Sequence, residues 1–309
     1  MNNYGEHMEK MRYYRILIFV SIIFLLAANF AYAQNPFEDA IKQLTSDNAK
    51  GYLQPFVSSF GANLNSGLYH SASIGELGFA LRFDIVGMAT VIGDDEKKYK
   101  ATSPIDGSLT ETATIFGDLG STVPGPASGM EYQFQNGQVK ADYVFFASPQ
   151  LTIGEVYYSQ LVIRYIPIPK KNGDFPKVTL FGIGGRHNVS HYFPVIPLDV
   201  AASIYYQTFD IGDIFQAKTF NFGAQASKTF SVLTLYGGLQ YETSSMDVSY
   251  TYEGEYGATK GTKMNLSMDG DNHFRFTAGL NVNLLVLNFF TDVNIGSMTM
   301  FSGGLGFGF

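Results

Sequence analysis

The chain has 309 residues, a net charge of −7, no cysteine and no tryptophan. With 15% aromatic and only 15% charged residues it is too apolar for an intrinsically disordered chain. The missing cysteines exclude a disulfide scaffold, a cysteine zinc centre, an iron–sulfur cluster, a cysteine nucleophile and a lipid-anchored lipoprotein. The acidic balance gives no electrostatic footprint for nucleic acid, which is not an expected partner.

In chain order the first element is an apolar run, Ile16 to Leu26, behind the basic flank Met11 to Arg15. At eleven residues it is too short to span a bilayer, and Ala31-Tyr32-Ala33 supplies a small-x-small cleavage pattern. Residues 1–33 therefore read as a secretory signal peptide cut before Gln34, with Met11 an alternative start. Without them the chain carries 17 basic and 25 acidic residues, net −8. No later stretch resembles a transmembrane helix, so the exported protein is soluble or crosses a membrane as a β-barrel.

Asn35-Pro36 opens a predicted helix, with Glu38 and Asp39 in its first turn and Phe37, Ala40, Ile41 and Leu44 on one stripe. Gly51 is its expected stop, and 34–55 reads as a hatch segment before a barrel over 56–309. From there the apolar period becomes two. The clearest alternating runs are 77–91, 198–206, 233–241 and 274–284; weaker ones occupy 60–72, 156–166, 177–187, 216–228 and 246–256. Breaks fall at Pro167–Pro169, Lys171–Gly173, Pro194–Pro197 and Asp269–Asn272. Residues 93–150 are irregular, with strand character only over 130–146, and read as a long loop or plug inserted into the barrel.

Alternation also suits a soluble sandwich, but runs of 11–15 residues exceed the usual ~5–6 of soluble strands and match the ~9–11 of membrane strands. The polar face holds Gly, Ser, Thr, Asn and Tyr with sparse charge, as a filled or wet lumen would. At the C-terminus Phe301, Gly303, Leu305, Phe307 and Phe309 alternate with small residues. A last strand ending on an aromatic resembles the signal that outer-membrane barrels present to their assembly machinery, with Leu305, Phe307 and Phe309 as its carriers. The expected fold is all-β, a transmembrane antiparallel barrel of about twelve strands (ten to fourteen) in the cell outer membrane. Outer-membrane lipids and the barrel-assembly machinery are its expected partners, and no cofactor is expected.

The blocks Pro149–Gly154, Leu161–Pro167, Leu180–Ser190, Pro197–Val200 and Asn63–Gly67 resemble a family of uncharacterised exported proteins of Bacteroidota, which implies an exported barrel-like protein and no particular activity. In architecture the chain is also similar to fatty-acid-transporter-type outer-membrane barrels, which have an N-terminal hatch and a terminal Phe. Their Asn-Pro-Ala motif is absent, since Phe37 follows Asn35-Pro36. That resemblance implies transport.

Candidate functional residues are the charges and amides on the polar faces: Arg82, Asp84, Arg164, Asp199, Arg275 and Asp292, with Asn281 and Asn283. In a barrel they point inward to pair with one another or line a solute path, Arg82, Arg164 and Arg275 meeting an anion or headgroup. His187 and His191 would lie about 13 Å apart on an extended strand, too far to share a metal. A barrel hydrolase of the phospholipase kind sets His and Ser two apart on one face; His70-Ser71 and Ser190-His191 lack that spacing. The sequence thus points to a non-enzymatic channel or transporter for a small or apolar solute. An accessory barrel of a secretion or surface-assembly complex is the alternative, and a barrel esterase or acyltransferase the third.

Overall fold

The computed structural model describes residues 41–309 except 170–175, 194, 196, 213, 255–257 and 309, and of Phe79 the backbone only. The expected signal peptide, its cleavage site, the Asn35-Pro36 helix start, the Lys171–Gly173 turn, Pro194 and Phe309 lie outside the described residues.

One α-helix, two 3-10 turns and fifteen strands are described. Helix α1 is Ser46–Leu64. Strands β1 (Leu77–Val91), β6 (Tyr143–Val156), β7 (Ser159–Ile168), β8 (Val178–Asn188), β9 (Asp199–Ile211), β10 (Phe215–Phe230), β11 (Leu233–Thr251), β13 (Phe274–Leu284), β14 (Leu287–Ile295) and β15 (Thr299–Gly308) pair antiparallel in that order. Because β1 also pairs with β15, the ring closes with ten strands. This is the low end of the expected range and two below its centre: β10 and β11 run to 16 and 19 residues, and residues 92–142 contribute nothing to the wall. Strand β12 (Lys263–Asp269) pairs with the far half of β11, above β13. Strands β2 (Lys98–Thr102) with β3 (Leu109–Ala113), and β4 (Thr122–Pro124) with β5 (Glu131–Gln133), make two small hairpins.

The two ends of the barrel differ. At the turn end, two-residue connections join β6 to β7, β10 to β11 and β13 to β14, with positive φ at Tyr157, Tyr158, Ser231 and Leu285; such turns follow the right-handed twist of the strands. At the roofed end the 51-residue connection 92–142 folds over the opening. The expected plug at 93–150 is thus a roof, and from Tyr143 onward it is wall.

The lumen is filled instead by residues 46–74. Helix α1 starts at the roofed end, where the Asn48 side chain bonds Thr102 and Tyr52 donates to the Asn136 carbonyl. Gly51 lies inside the helix rather than ending it: a Cβ there would stand 2.3 Å from the Tyr99 ring, so only glycine allows this approach. Pro55 follows four residues later, within the helix. After Leu64 the chain turns at Gly67 (φ +62°) and runs extended to the turn end, where β1 begins. The expected strand over 60–72 is therefore helix end and lumen segment. Its alternating apolar residues meet wall on all sides, which is why they imitate a strand.

Along the lower barrel the faces are inverted relative to a soluble protein. Phe181, Ile204, Phe222, Leu239, Phe289 and Phe307 are exposed on the outside, while Gln150, Arg164, Gln207, Asn221, Arg275 and Asp292 are buried inside. Among the described residues no helix is long and apolar enough to cross a membrane.

Candidate functional site

The lumen gathers most of the predicted polar residues, and helix geometry explains why. The last carbonyls of an α-helix have no intrahelical donor, and its C-terminus carries partial negative charge. Two arginines from opposite walls satisfy that end. From β7, Arg164 donates to the carbonyls of Leu64 (2.9 Å), Ser66 (2.8 Å) and Gly67 (3.0 Å), while its Nε donates to Gln150 (2.9 Å). From β13, Arg275 donates to the carbonyls of Ala62 (2.7 Å) and Asn65 (2.8 Å) and to Ser66 Oγ (2.6 Å). Arg275 is also ion-paired at 2.8 Å with Glu242 of β11, which in turn accepts from Asn272. Planar guanidinium forks suit such multi-point contacts. The terminal nitrogens of both guanidinium groups are occupied by backbone carbonyls and by Ser66 and Glu242, so Arg164 and Arg275 clamp the lumen segment and line no open anion path.

Below the clamp the extended backbone of 65–74 has no strand partner, and wall side chains supply its hydrogen bonds. Arg186 donates to the Ser71 carbonyl (2.8 Å), Asn188 to that of Ala72 (3.2 Å) and Tyr205 to that of Leu68 (3.3 Å), while the Ala72 N–H donates to Ser227 (2.9 Å). Leu68 and Tyr69 pack among Val162, Tyr205 and Tyr236. Above the clamp, Phe60 lies 5.0–5.8 Å from the rings of Phe56, Phe146, Phe209 and Phe215. There burial pushes the Tyr52 and Tyr99 phenols well above their usual range.

The other predicted residues divide. Asp84 is buried and receives Arg82 Nε at 3.1 Å; Arg82 is partly open. Asp292 is buried and accepts from Tyr236 (2.7 Å), Asn294 and Ser302. Asn281 is buried and accepts from Asn288 (2.6 Å), whereas Asn283 is exposed at the turn end. Asp199 is half-buried at the same end, away from the clamp. Leu305 and Phe307 stand outward on β15, 51% and 58% exposed, part of the apolar exterior rather than of a pocket.

Sequence reasoning missed Arg186, Glu242, Asn188 and His70. The first three fall on the inward phase of their strands with Gly184, Gln240 and Arg186, a signal that the alternation carried. His70 had none: it lies within the lumen segment, fully buried, stacked on Phe290 at 4.6 Å, and among the described residues neither ring nitrogen has a hydrogen-bond partner.

The extended-strand separation of His187 and His191 does not hold. A 3-10 turn at Ser190–Tyr192 brings their rings to 5.7 Å. Neighbours occupy both: Tyr158 stacks on His191 at 3.8 Å, and His191 Nδ1 meets the Asn188 carbonyl at 2.8 Å. His187 Nδ1 lies 2.9 Å from Ser159 Oγ and its Nε2 lies 3.1 Å from the Tyr192 hydroxyl. Since Ser159 donates its only hydroxyl proton to the Tyr157 carbonyl (3.1 Å), the network is consistent with His187 donating to Ser159 and accepting from Tyr192. In that tautomer, assigned from the network, it is no base toward the serine.

Among solved structures, OmpT of Vibrio cholerae is 9% identical, with 77% of this chain and all of that one covered, at a TM-score of 0.25. The toluene transporter TodX of P. putida is 11% identical over 84% of this chain and 70% of that chain, at 0.24. The FrpB iron transporter of Neisseria meningitidis is 10% identical over 54% and 39%, at 0.20. At these scores the likenesses add nothing to the barrel, which rests on its own strand pairing. No curated protein matches the chain. Residues 8–309 match the family of unknown function DUF6588, and the chain belongs to that family.

Proposed function

We propose that the protein is an outer-membrane β-barrel transporter for a small, largely apolar solute, held shut at rest by its own N-terminal segment. The observation that carries the membrane reading is the inversion of the faces, apolar outside and hydrogen-bonded polar inside, on strands of at least nine residues, long enough to cross a bilayer. Aromatic residues stand outward toward both ends, Tyr143 and Phe274 at one, Tyr157 and Phe230 at the other. They fit the girdles of such barrels. Short turns face the periplasm in this class, which puts the roof outside.

Inside, backbone rather than solvent meets Arg164, Arg186 and Arg275, so passage requires the 46–74 segment to shift. The aromatic surface around Phe60 and Tyr69 suits an apolar solute better than an ion. The accessory-barrel reading draws on the same filled lumen, which a structural barrel would also have. The Ser159–His187 contact supports an esterase poorly, given its tautomer.

The cysteine-free chain allows a clean test. Ala72→Cys with Ser227→Cys, residues joined by a backbone-to-hydroxyl contact, would tie the segment to the wall. Cells with this variant should take up radiolabelled naphthalene more slowly when oxidised and recover with dithiothreitol. Equal uptake with and without the protein would instead favour the accessory reading.

A further inference from the structure

Strand β12 is paired on one side only. Its residues pair with residues 245–251 of β11 without a break in register. On its other side β14, the strand that would continue the wall, ends at Ile295, and no described strand pairs there. The phase of the ladder decides which backbone groups are left over. The Tyr252 N–H donates to the Thr262 carbonyl (2.8 Å) and the Gly270 N–H to that of Ser244 (3.0 Å), and rungs in an antiparallel pair alternate. Met264, Leu266 and Met268 therefore bond β11, while Lys263, Asn265, Ser267 and Asp269 turn their N–H and C=O groups to the open edge. Of these, the Asp269 carbonyl accepts from Gln54 of α1 at 2.8 Å.

An open edge is a template for another strand, and proteins blunt it with proline, bulges or charge. β12 has no proline and no bulge against β11, and residues 264–268 carry no charge. Its charges stand at the two ends, Lys263 at one and Asp269 at the other, both exposed. That distribution is self-complementary. With a second copy of β12 laid antiparallel along the edge, Leu266 opposite Leu266, each Lys263 faces an Asp269 and each Asn265 a Ser267. Opposite charges set directly across a strand pair are favourable. In this register every edge-facing residue meets another edge-facing residue, so the backbone rungs form. A shift by one residue loses the rungs, and a shift by two loses both charge pairs.

We propose that the free edge of β12 joins two copies of this chain into one continuous sheet, with Lys263 of each copy set against Asp269 of the other. The interface is isologous, its two-fold axis perpendicular to the sheet at Leu266. An axis so placed reverses the barrel direction from one copy to the next, so the two copies meet roofed end to roofed end. Copies side by side in one membrane cannot pair this way. Copies in two facing membranes can, because β12 stands on the part of the wall with a polar exterior, where Asp247 and Ser249 of β11 are exposed. The facing-membrane arrangement rests on the outer-membrane reading; the pairing of the two chains does not.

Light scattering of the full-length protein in detergent tests the pairing. The wild type is expected as a dimer that dissociates on dilution. Lys263→Glu or Asp269→Lys alone sets like charges together at both ends and should raise the dissociation constant about tenfold or more. The two substitutions combined restore opposite charges and should recover the dimer. Ser267→Pro removes an edge-facing N–H without touching the β11 ladder and should leave a monomer. A heat-modifiable gel shift shows that each variant is folded, and Asn265→Pro takes its place should Ser267→Pro not fold. A wild type monomeric at every concentration, a dimer indifferent to the proline, or single charge variants that the double one does not rescue overturns the pairing. Vesicles carrying the wild type with its roofed end outward should cluster and raise turbidity, and those carrying Ser267→Pro should stay dispersed. Equal turbidity, with the dimer intact in detergent, overturns the facing-membrane arrangement.

Discussion

Strands β9, β10 and β11 each belong to two different environments, and the change takes place without a register slip. On β11 the outward phase reads Leu235, Leu239 and Tyr241, then Ser245, Asp247 and Ser249; the inward phase reads Thr234, Gln240 and Glu242, then Met246, Val248 and Tyr250. On β10 the inward residues change from Phe215 and Ala217 to Thr219, Asn221, Gln225 and Ser227, while outward Gln216 and Lys218 give way to Phe220 and Phe222. The lower barrel is therefore built inside-out, and the wall that rises above it at the roofed end is built like a soluble protein around the start of α1. One pleat serves both because the side-chain period is the same; only the solvent outside differs. On the membrane reading proposed above, the swap near Tyr206, Phe220 and Tyr241 marks where lipid ends on this side of the molecule.

The largest test of that contrast is in the upper core. Phe60→Ala empties the centre of the phenylalanine cluster and should cost about 3–5 kcal/mol, as large aromatic deletions in packed cores do, read from urea unfolding in vesicles. A smaller loss would mean that the upper interior is not a packed core. Next comes the outer surface. Leu239→Arg, in the apolar band, should cost up to about 2–4 kcal/mol, falling toward ~1 or less if the residue lies at the interface. Asp247→Arg, eight residues along the same phase, should stay within about 0.5 kcal/mol; equal costs would erase the boundary. The smallest effect is expected in the lower interior, where His70→Phe keeps the stack on Phe290 and removes two unpaired buried nitrogens. Such a swap should be neutral or slightly stabilising, within about 1.5 kcal/mol. A large loss would reveal a partner for the ring.

Much of the wall was legible in the sequence. The runs 77–91 and 274–284 coincide with β1 and β13, because an apolar exterior and hydrogen-bonded side chains inside enforce strict alternation. β14 went unread although Leu287, Phe289, Thr291 and Val293 alternate with Asn288, Phe290, Asp292 and Asn294, since inward Phe290 blurs the contrast. The lumen segment was harder. Gly51 and Pro55 break a helical reading, yet Gly51 is set by the Tyr99 ring, a tertiary contact invisible in the local pattern. Arg164 and Arg275 were found as inward charges, but that they meet at one helix terminus depends on β7 and β13 facing each other across ten strands, which strand pairing alone decides. The early end of the β6–β7 pairing at Gln150↔Arg164 was likewise hidden: Pro167 was legible as a break, and only the pairing shows that β7 there has left β6 and keeps β8.

The two-arginine clamp keeps the lumen filled, and conductance in a planar bilayer tests it most directly. The wild-type protein should show no steady open level, whereas Arg164→Ala with Arg275→Ala, folded by heat-modifiable gel shift, should open frequently to a defined conductance because the helix end has lost its donors. A wild-type barrel that conducts continuously, or a folded double variant as silent as the wild type, would contradict it.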